Sequence, residues 1–170
     1  MTAKTFTFKI PIRPKAVQST RFTGNYSYVD PKVKKWKAAV TPYVEYYKPE
    51  LPSQMPFEIV EAIYTFKLPK SLSKKVLKKI EEEWAAGRDV PYLSTPDLTD
   101  NIHKGISDVI TACQIWVDDK QVWRVAPDAV IKKVYGKEDF IQVTVRETPD
   151  VLLIDGRTAE EAYGVSQDPH

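Results

Sequence analysis

A single cysteine, Cys113, is the whole thiol content of these 170 residues. It excludes an internal disulfide and any Cys-rich zinc site. Histidine is nearly as scarce. His170 is the last residue, and His103 has no partner at metal-ligand spacing, so His103 is expected at the surface and Ser-His-Asp chemistry has no anchor. No run of about 18 apolar residues occurs, so no membrane span is expected. The opening MTAKTFTFKIPIRPK alternates polar and apolar residues and lacks the apolar block of a signal peptide. A reducing, cytoplasmic setting is the expectation. GxxxxGK[ST], GxGxxG after a strand and HExxH are all missing, which removes support for a nucleotide cofactor and for zinc-peptidase chemistry. Internal repeats and low-complexity segments are absent too.

What is present is an ordinary globular composition with 42% apolar and 28% charged residues, long enough for one domain with a sizeable core. Net charge is only +2, but it is unevenly spread. Six acids and one base (Arg157) lie from residue 147 onward, leaving +7 on the first 146 residues. A basic body favours a polyanionic partner, nucleic acid before membrane. The division expected is a domain over 1–148 and an acidic C-terminal stretch over 149–170, weakly periodic and peripheral or disordered.

Residues 4–11 alternate as a half-buried strand with Phe6, Phe8 and Ile10 on one face. A basic loop follows with Arg13, Lys15 and Arg21, interleaved with Phe22, Tyr26 and Tyr28. Asp30-Pro31 opens a helix as N-cap and first helical residue. Lys32, Lys34, Lys35 and Lys37 crowd its first turns, where cations oppose the helix dipole, so phosphate contact explains them better than stability does. Residues 57–68 read as a strand. A serine-capped helix with Val76, Leu77, Ile80 and Trp84 inward comes next, stopped by Gly87. An acid-rich helix over 98–113, a β-like QIWV, the turn DDK, QVWRV, and strands at 129–135 and 139–146 complete the order β-α-β-α-α-β-β-β. The fold class expected is α+β, one domain with a mixed or mainly antiparallel sheet covered by helices.

The chemistry concentrates in Thr95–Val122. At helical spacing, Leu98, Ile102, Ile106, Val109, Ile110 and Cys113 share one side. Asp97, Asp100, Asn101, Lys104 and Asp108 take the other, and Asp118-Asp119 follow after the QIWV run. Short carboxylates gathered in this way are hard oxygen ligands suited to Mg²⁺. The competing structural roles are equally concrete: Asp97 as a helix cap, Asp118-Asp119 as a hairpin turn.

PDLTDNIHKGISDVI followed by WVDDKQV resembles the signature of RusA-type Holliday junction resolvases, with seven polar positions matching in order. RPKAVQSTRFTG, YVDPKVKKWK and LPKSLSKK resemble the family's basic loop, first helix and a further motif. The resemblance implies a homodimeric α+β nuclease that uses Mg²⁺, with Mn²⁺ as a substitute, and nicks opposed strands of a four-way DNA junction. It implies Asp97, Asp100 and Asp119 as metal-binding carboxylates and Lys104 as the catalytic lysine. Asp108 and Asp118 match further acidic positions, and Asn101 matches an asparagine beside the second acid. Lys15, Arg21, Lys34, Lys35 and Asn101 are the expected DNA contacts. No membrane or nucleotide cofactor is expected. One departure stands out: Leu98 and Thr99 both separate the first two aspartates, where the family has one residue. A local bulge upstream of Asp100 is expected to absorb it, leaving the register from Asp100 to Asp108 intact. The alternatives are a less selective nuclease of branched DNA and a branched-DNA-binding module without catalysis.

Overall fold

Alternation sets the first strand. In β1 (Thr5–Ile10) Phe6, Phe8 and Ile10 are buried while Thr5 and Lys9 face out. The computed structural model describes residues 3–17, 21–23, 26–28, 30–98 and 102–164. Within the segment expected as a basic loop, β2 (Arg21–Thr23) and β3 (Tyr26–Tyr28) pair antiparallel as a short hairpin, Arg21 opposite Tyr28. α1 (Pro31–Glu45) begins as expected: the Asp30 side chain accepts from the Lys32 N–H, with proline in the first turn. Val33, Trp36, Val40 and Val44 form its buried stripe.

β4 (Phe57–Lys67) has a register shift between Ile59 and Glu61, which breaks its alternation and lets both Phe57 and Ala62 face the core. α2 (Lys74–Ala85) carries the Ser73 cap, and Gly87 behind it adopts a φ of 76°, a left-handed conformation that suits glycine. Its apolar residues were expected inward, yet none of its residues is buried. α3 (His103–Ala112) follows, then a short 3₁₀ turn over Asp119–Gln121. QIWV is not a strand; Trp116 makes only an isolated bridge with Ser53. QVWRV and 129–135, expected as separate strands, run together as β5 (Val122–Gly136). β6 (Phe140–Glu147) lies beside β1 and β4.

The sheet order is β1-β6-β4-β5, antiparallel except for the parallel pair β4–β5. One face of it packs with α1 and α3 around Phe8, Ile10, Tyr64, Phe66, Ile141, Val143 and Val145. The molecule is a single α+β domain with a four-stranded mixed sheet. Parallel neighbours require a crossover connection, and here that crossover, from Leu68 to Gln121, carries both halves of the acidic motif. Beyond β6, Ala159 at the start of α4 (Ala159–Tyr163) is fully buried, and the Thr158 side chain caps that helix. Among the described residues, no helix is long and apolar enough to cross a membrane.

Candidate active site

Burial fixes the rotation of α3. Ile102, Ile106, Val109, Ile110 and Cys113 are buried and Leu98 packs partly against them. Lys104 and Asp108, one turn apart, are therefore sent to the opposite side. Gly105 permits the close approach: a Cβ there would lie 2.7 Å from Val17 and 2.8 Å from the Trp36 ring. At the start of the helix the Ile102 N–H donates to the Asp97 carbonyl at 3.3 Å. That closure spans five residues, one more than an α-helical turn. Thr99, Asp100 and Asn101 lie outside the described residues, and Asp97 is exposed. His103, expected at the surface, is half-buried and 2.7 Å from the Tyr64 hydroxyl. Burial lowers the His103 pKa and raises that of Tyr64. A neutral ring accepting from the tyrosine satisfies both, and ties the first turn of α3 to β4.

The second acidic element is held by Gln121. Its side-chain oxygen accepts from the Val117 and Asp118 N–H groups at 2.9 and 2.8 Å. Its amide nitrogen donates to the Ser53 and Met55 carbonyls at 2.8 and 2.9 Å. Asp118 in turn caps the 3₁₀ turn, accepting from the Lys120 N–H at 2.9 Å. Behind it, buried Trp116 donates to Thr111 at 2.7 Å, anchoring the turn to the end of α3. Asp118 thus caps a 3₁₀ turn where a hairpin turn was expected, since QIWV before it is not a strand, and the same turn presents Asp119.

Asp119 sits at the surface, yet loss of water raises its pKa above the usual carboxylate value. A hydrogen bond with Asp118 and the charges of Asp118 and Asp108 add to the rise, and Lys104 opposes it. Asp118 is lowered, first by the Lys120 N–H and then by its bond to Asp119. Three acids gathered in one place repel one another and favour a positive charge beside them. Asp108 itself is 2.9 Å from the Lys37 ammonium of α1. The fold therefore gathers Lys104, Asp108, Asp118, Asp119 and Lys37 from α3, the 3₁₀ turn and α1.

The approach to Asp97 is built separately. Lys133 of β5 donates to the carbonyls of Ser94 at 2.7 Å and Pro96 at 2.9 Å, and its ammonium lies over Tyr92. The Tyr92 hydroxyl donates to the Thr95 carbonyl, beside the cis Thr95–Pro96 bond. Of the expected DNA contacts, Lys34 and Lys35 are exposed on α1 and Lys15 is half-buried before β2. Arg21 lies on the β2–β3 hairpin, and Asn101 is outside the described residues.

Among the described residues, no three acidic, histidine or cysteine side chains converge at metal-ligand distance; Asp100 is not among them. The donor chemistry nevertheless fits a hard cation: every oxygen is a carboxylate, and the charges of Asp108 and Asp118 beside Asp119 favour a cation there. Sequence reasoning missed Gln121, Lys133 and Lys37. Gln121 lay within the motif without a role, while the two lysines were invisible because their partners are 71 residues away or are backbone carbonyls of a distant loop.

The family model described as Endodeoxyribonuclease RusA matches residues 11–146, most of the chain. Comparison with curated proteins finds no match.

Proposed function

This chain belongs to the endodeoxyribonuclease RusA family, and we propose that within it the protein is a Mg²⁺-dependent, structure-selective nuclease that resolves four-way DNA junctions by paired nicks as a homodimer. The observation that carries the reading is the Asp118–Asp119 pair faced by Asp108 and Lys104 on a turn held by Gln121. Asp119 is assigned as a ligand, with Asp97 and Asp100 as the further carboxylates; Mn²⁺ takes the same hard-oxygen set. When bound, the ion supplies charge neutralisation at the scissile phosphate and a more acidic water.

The chain's own residues divide the rest. Lys104, one turn along α3 from Asp108, places an ammonium where charge grows on the non-bridging oxygens. Lys37 holds Asp108 at 2.9 Å, so this acid orients and balances charge instead of joining the ion. Lys34 and Lys35, exposed on the same helix as Lys37, extend a positive track away from the acids for the DNA backbone.

A nicking assay on a synthetic four-way junction beside linear duplex, with and without Mg²⁺, tests this reading. Wild-type protein should cut the junction in paired nicks only with the ion. Asp119→Asn should abolish cutting while junction binding holds or tightens, because a negative charge near phosphate is gone. Binding without cutting by wild-type protein would indicate a module that has lost catalysis, and equal cutting of both substrates a less selective nuclease. Near wild-type cutting by Asp119→Asn would remove Asp119 from the site.

A further inference from the structure

β5 opens with an irregularity that re-aims one side chain. Phe57 of β4 pairs with Val122 and Glu58 with Arg124, so Trp123 between them is opposite no residue. An extra residue of this kind breaks the alternation of a strand, and neighbours that would point to opposite faces can lie side by side. Here the Arg124 guanidinium sits over the Trp123 ring, 4.7 Å from its centroid. The indole is also pinned. Its Nε1–H donates to the Thr148 hydroxyl at 3.0 Å, and that hydroxyl donates to the Pro56 carbonyl at 3.1 Å. Arg124 is fixed in turn, because its Nε donates at 2.7 Å to Glu58, whose other oxygen accepts from Arg146 of β6. Glu58 and Thr148 are buried, so the frame behind the ring is anchored in the domain. Trp123 itself is 50% exposed.

Charge narrows what this surface can take. The hollow lined by Arg124, Arg146 and Thr148, about 290 Å³, also holds Glu58, Glu147 and Asp150. Three carboxylates against two guanidinium groups leave no surplus positive charge for a phosphate. The indole offers a flat, neutral π surface instead, with its plane set in advance. A fixed plane is what base stacking requires and what general apolar contact does not. Position supplies the rest. Asp119 precedes Trp123 by four residues, at most about 14 Å of extended backbone.

We propose that Trp123 is a stacking platform for one unpaired nucleobase of branched DNA, within a few nucleotides of the phosphate at Asp119. The assignment rests on the nuclease reading above and names what a branch offers that a linear duplex does not. Inside a duplex both faces of each base are already stacked, so the platform finds nothing to take. Where strands part, a base has a free face, and the indole covers it without reading which base it is. Arg124 and Thr148 act as positioning residues that hold the ring in its plane.

Fluorescence anisotropy with EDTA present reads binding without cutting, so failure of the metal chemistry leaves this test intact. The probes are a splayed fork with two single-stranded arms and a linear duplex. Trp123→Ala, with unchanged far-UV circular dichroism, should bind the fork about 5–150-fold more weakly, the range of one base–aromatic stack. Its duplex affinity should equal that of wild type. The slope of log affinity against log salt should stay at the wild-type value on both probes, because no charge is removed. Trp123→Phe should keep most of the fork affinity, since a ring remains. Wild-type fork binding by Trp123→Ala would overturn the proposal, as would an equal loss on duplex, an equal loss in Trp123→Phe or a flattened salt slope. Wild-type protein that binds neither probe would overturn it together with the nuclease reading.

Discussion

Gln121 uses all four of its side-chain hydrogen-bonding positions, two as acceptor and two as donor, and no other natural side chain of its length can do so. Gln121→Ala orphans two carbonyls and two N–H groups, and should cost about 1–3 kcal/mol. It should also loosen the turn that presents Asp119 and lower junction nicking about 10–100-fold, as removal of a ligand-orienting partner does. Gln121→Glu keeps the acceptor but cannot donate to the Ser53 and Met55 carbonyls, so it should fare no better. Melting temperature and single-turnover nicking together check this; a destabilised variant that nicks at the wild-type rate would make Gln121 a structural residue only. At this scale the sequence was informative about which residues matter and silent about why. The carboxylates and Lys104 could be picked out because their types and spacing are unusual. The fixing groups could not, since the Gln121 acceptors are backbone carbonyls 66 and 68 residues away. Asp108 shows the same limit: its charge could be read, its partner Lys37 could not.

Elements reveal themselves by periodicity, and periodicity does not say what covers an apolar face. The stripes of α1 and α3 are buried as expected, whereas in the equally regular stripe of α2 Val76 and Leu77 are exposed and Ile80 and Trp84 only half-buried. QIWV was misread because Ile115 and Trp116 are both buried, Trp116 against the Phe57 ring of β4, so the run only imitates a buried strand. α3 offers a pH test. His103 has a lowered folded pKa, so the unfolded chain binds a proton more readily. Stability from this group is fully present above the ordinary histidine value of about 6.5 and declines as pH falls from there through the lowered folded value. Denaturant unfolding at pH 8 and pH 5 should show a smaller pH dependence for His103→Asn than for wild type, and equal dependence would place the titration elsewhere. α1 offers a binding test. Lys34 and Lys35 are exposed, so Lys34→Ala/Lys35→Ala should leave stability within about 0.5 kcal/mol. Junction affinity should fall, and the slope of log affinity against log salt should flatten by roughly 2. An unchanged slope would separate these lysines from the DNA.

Across the whole molecule, the α+β class followed from the mixture of 2-residue and 3.6-residue patterns, but the order of strands did not. Placing β6 between β1 and β4 depends on pairings 75 to 141 residues apart, and the β4 register shift hides part of its alternation. Charge was legible at this scale, because it needs only counting. Residues 149–170 hold five acids and one arginine, so removing them raises the formal net charge from +2 to +6. The described part of this stretch also packs. Ala159 is fully buried, Val151 and Leu153 lie against the core, and the Ala159 N–H donates to the Val151 carbonyl at 2.9 Å. Truncation after Thr148 therefore changes two properties that are separable. Loss of the packed residues should cost about 2 kcal/mol of burial and lower the melting temperature by roughly 4–8 °C. The added positive charge should tighten binding to linear duplex more than to the junction at low salt, with the gain disappearing as salt rises, since a diffuse charge attracts any DNA and is screened. Calorimetry and a salt series on both substrates measure the two effects independently. An unchanged melting temperature would make the stretch an addition to a domain complete at residue 148. An unchanged duplex affinity would mean its acids lie too far from the DNA path to be felt.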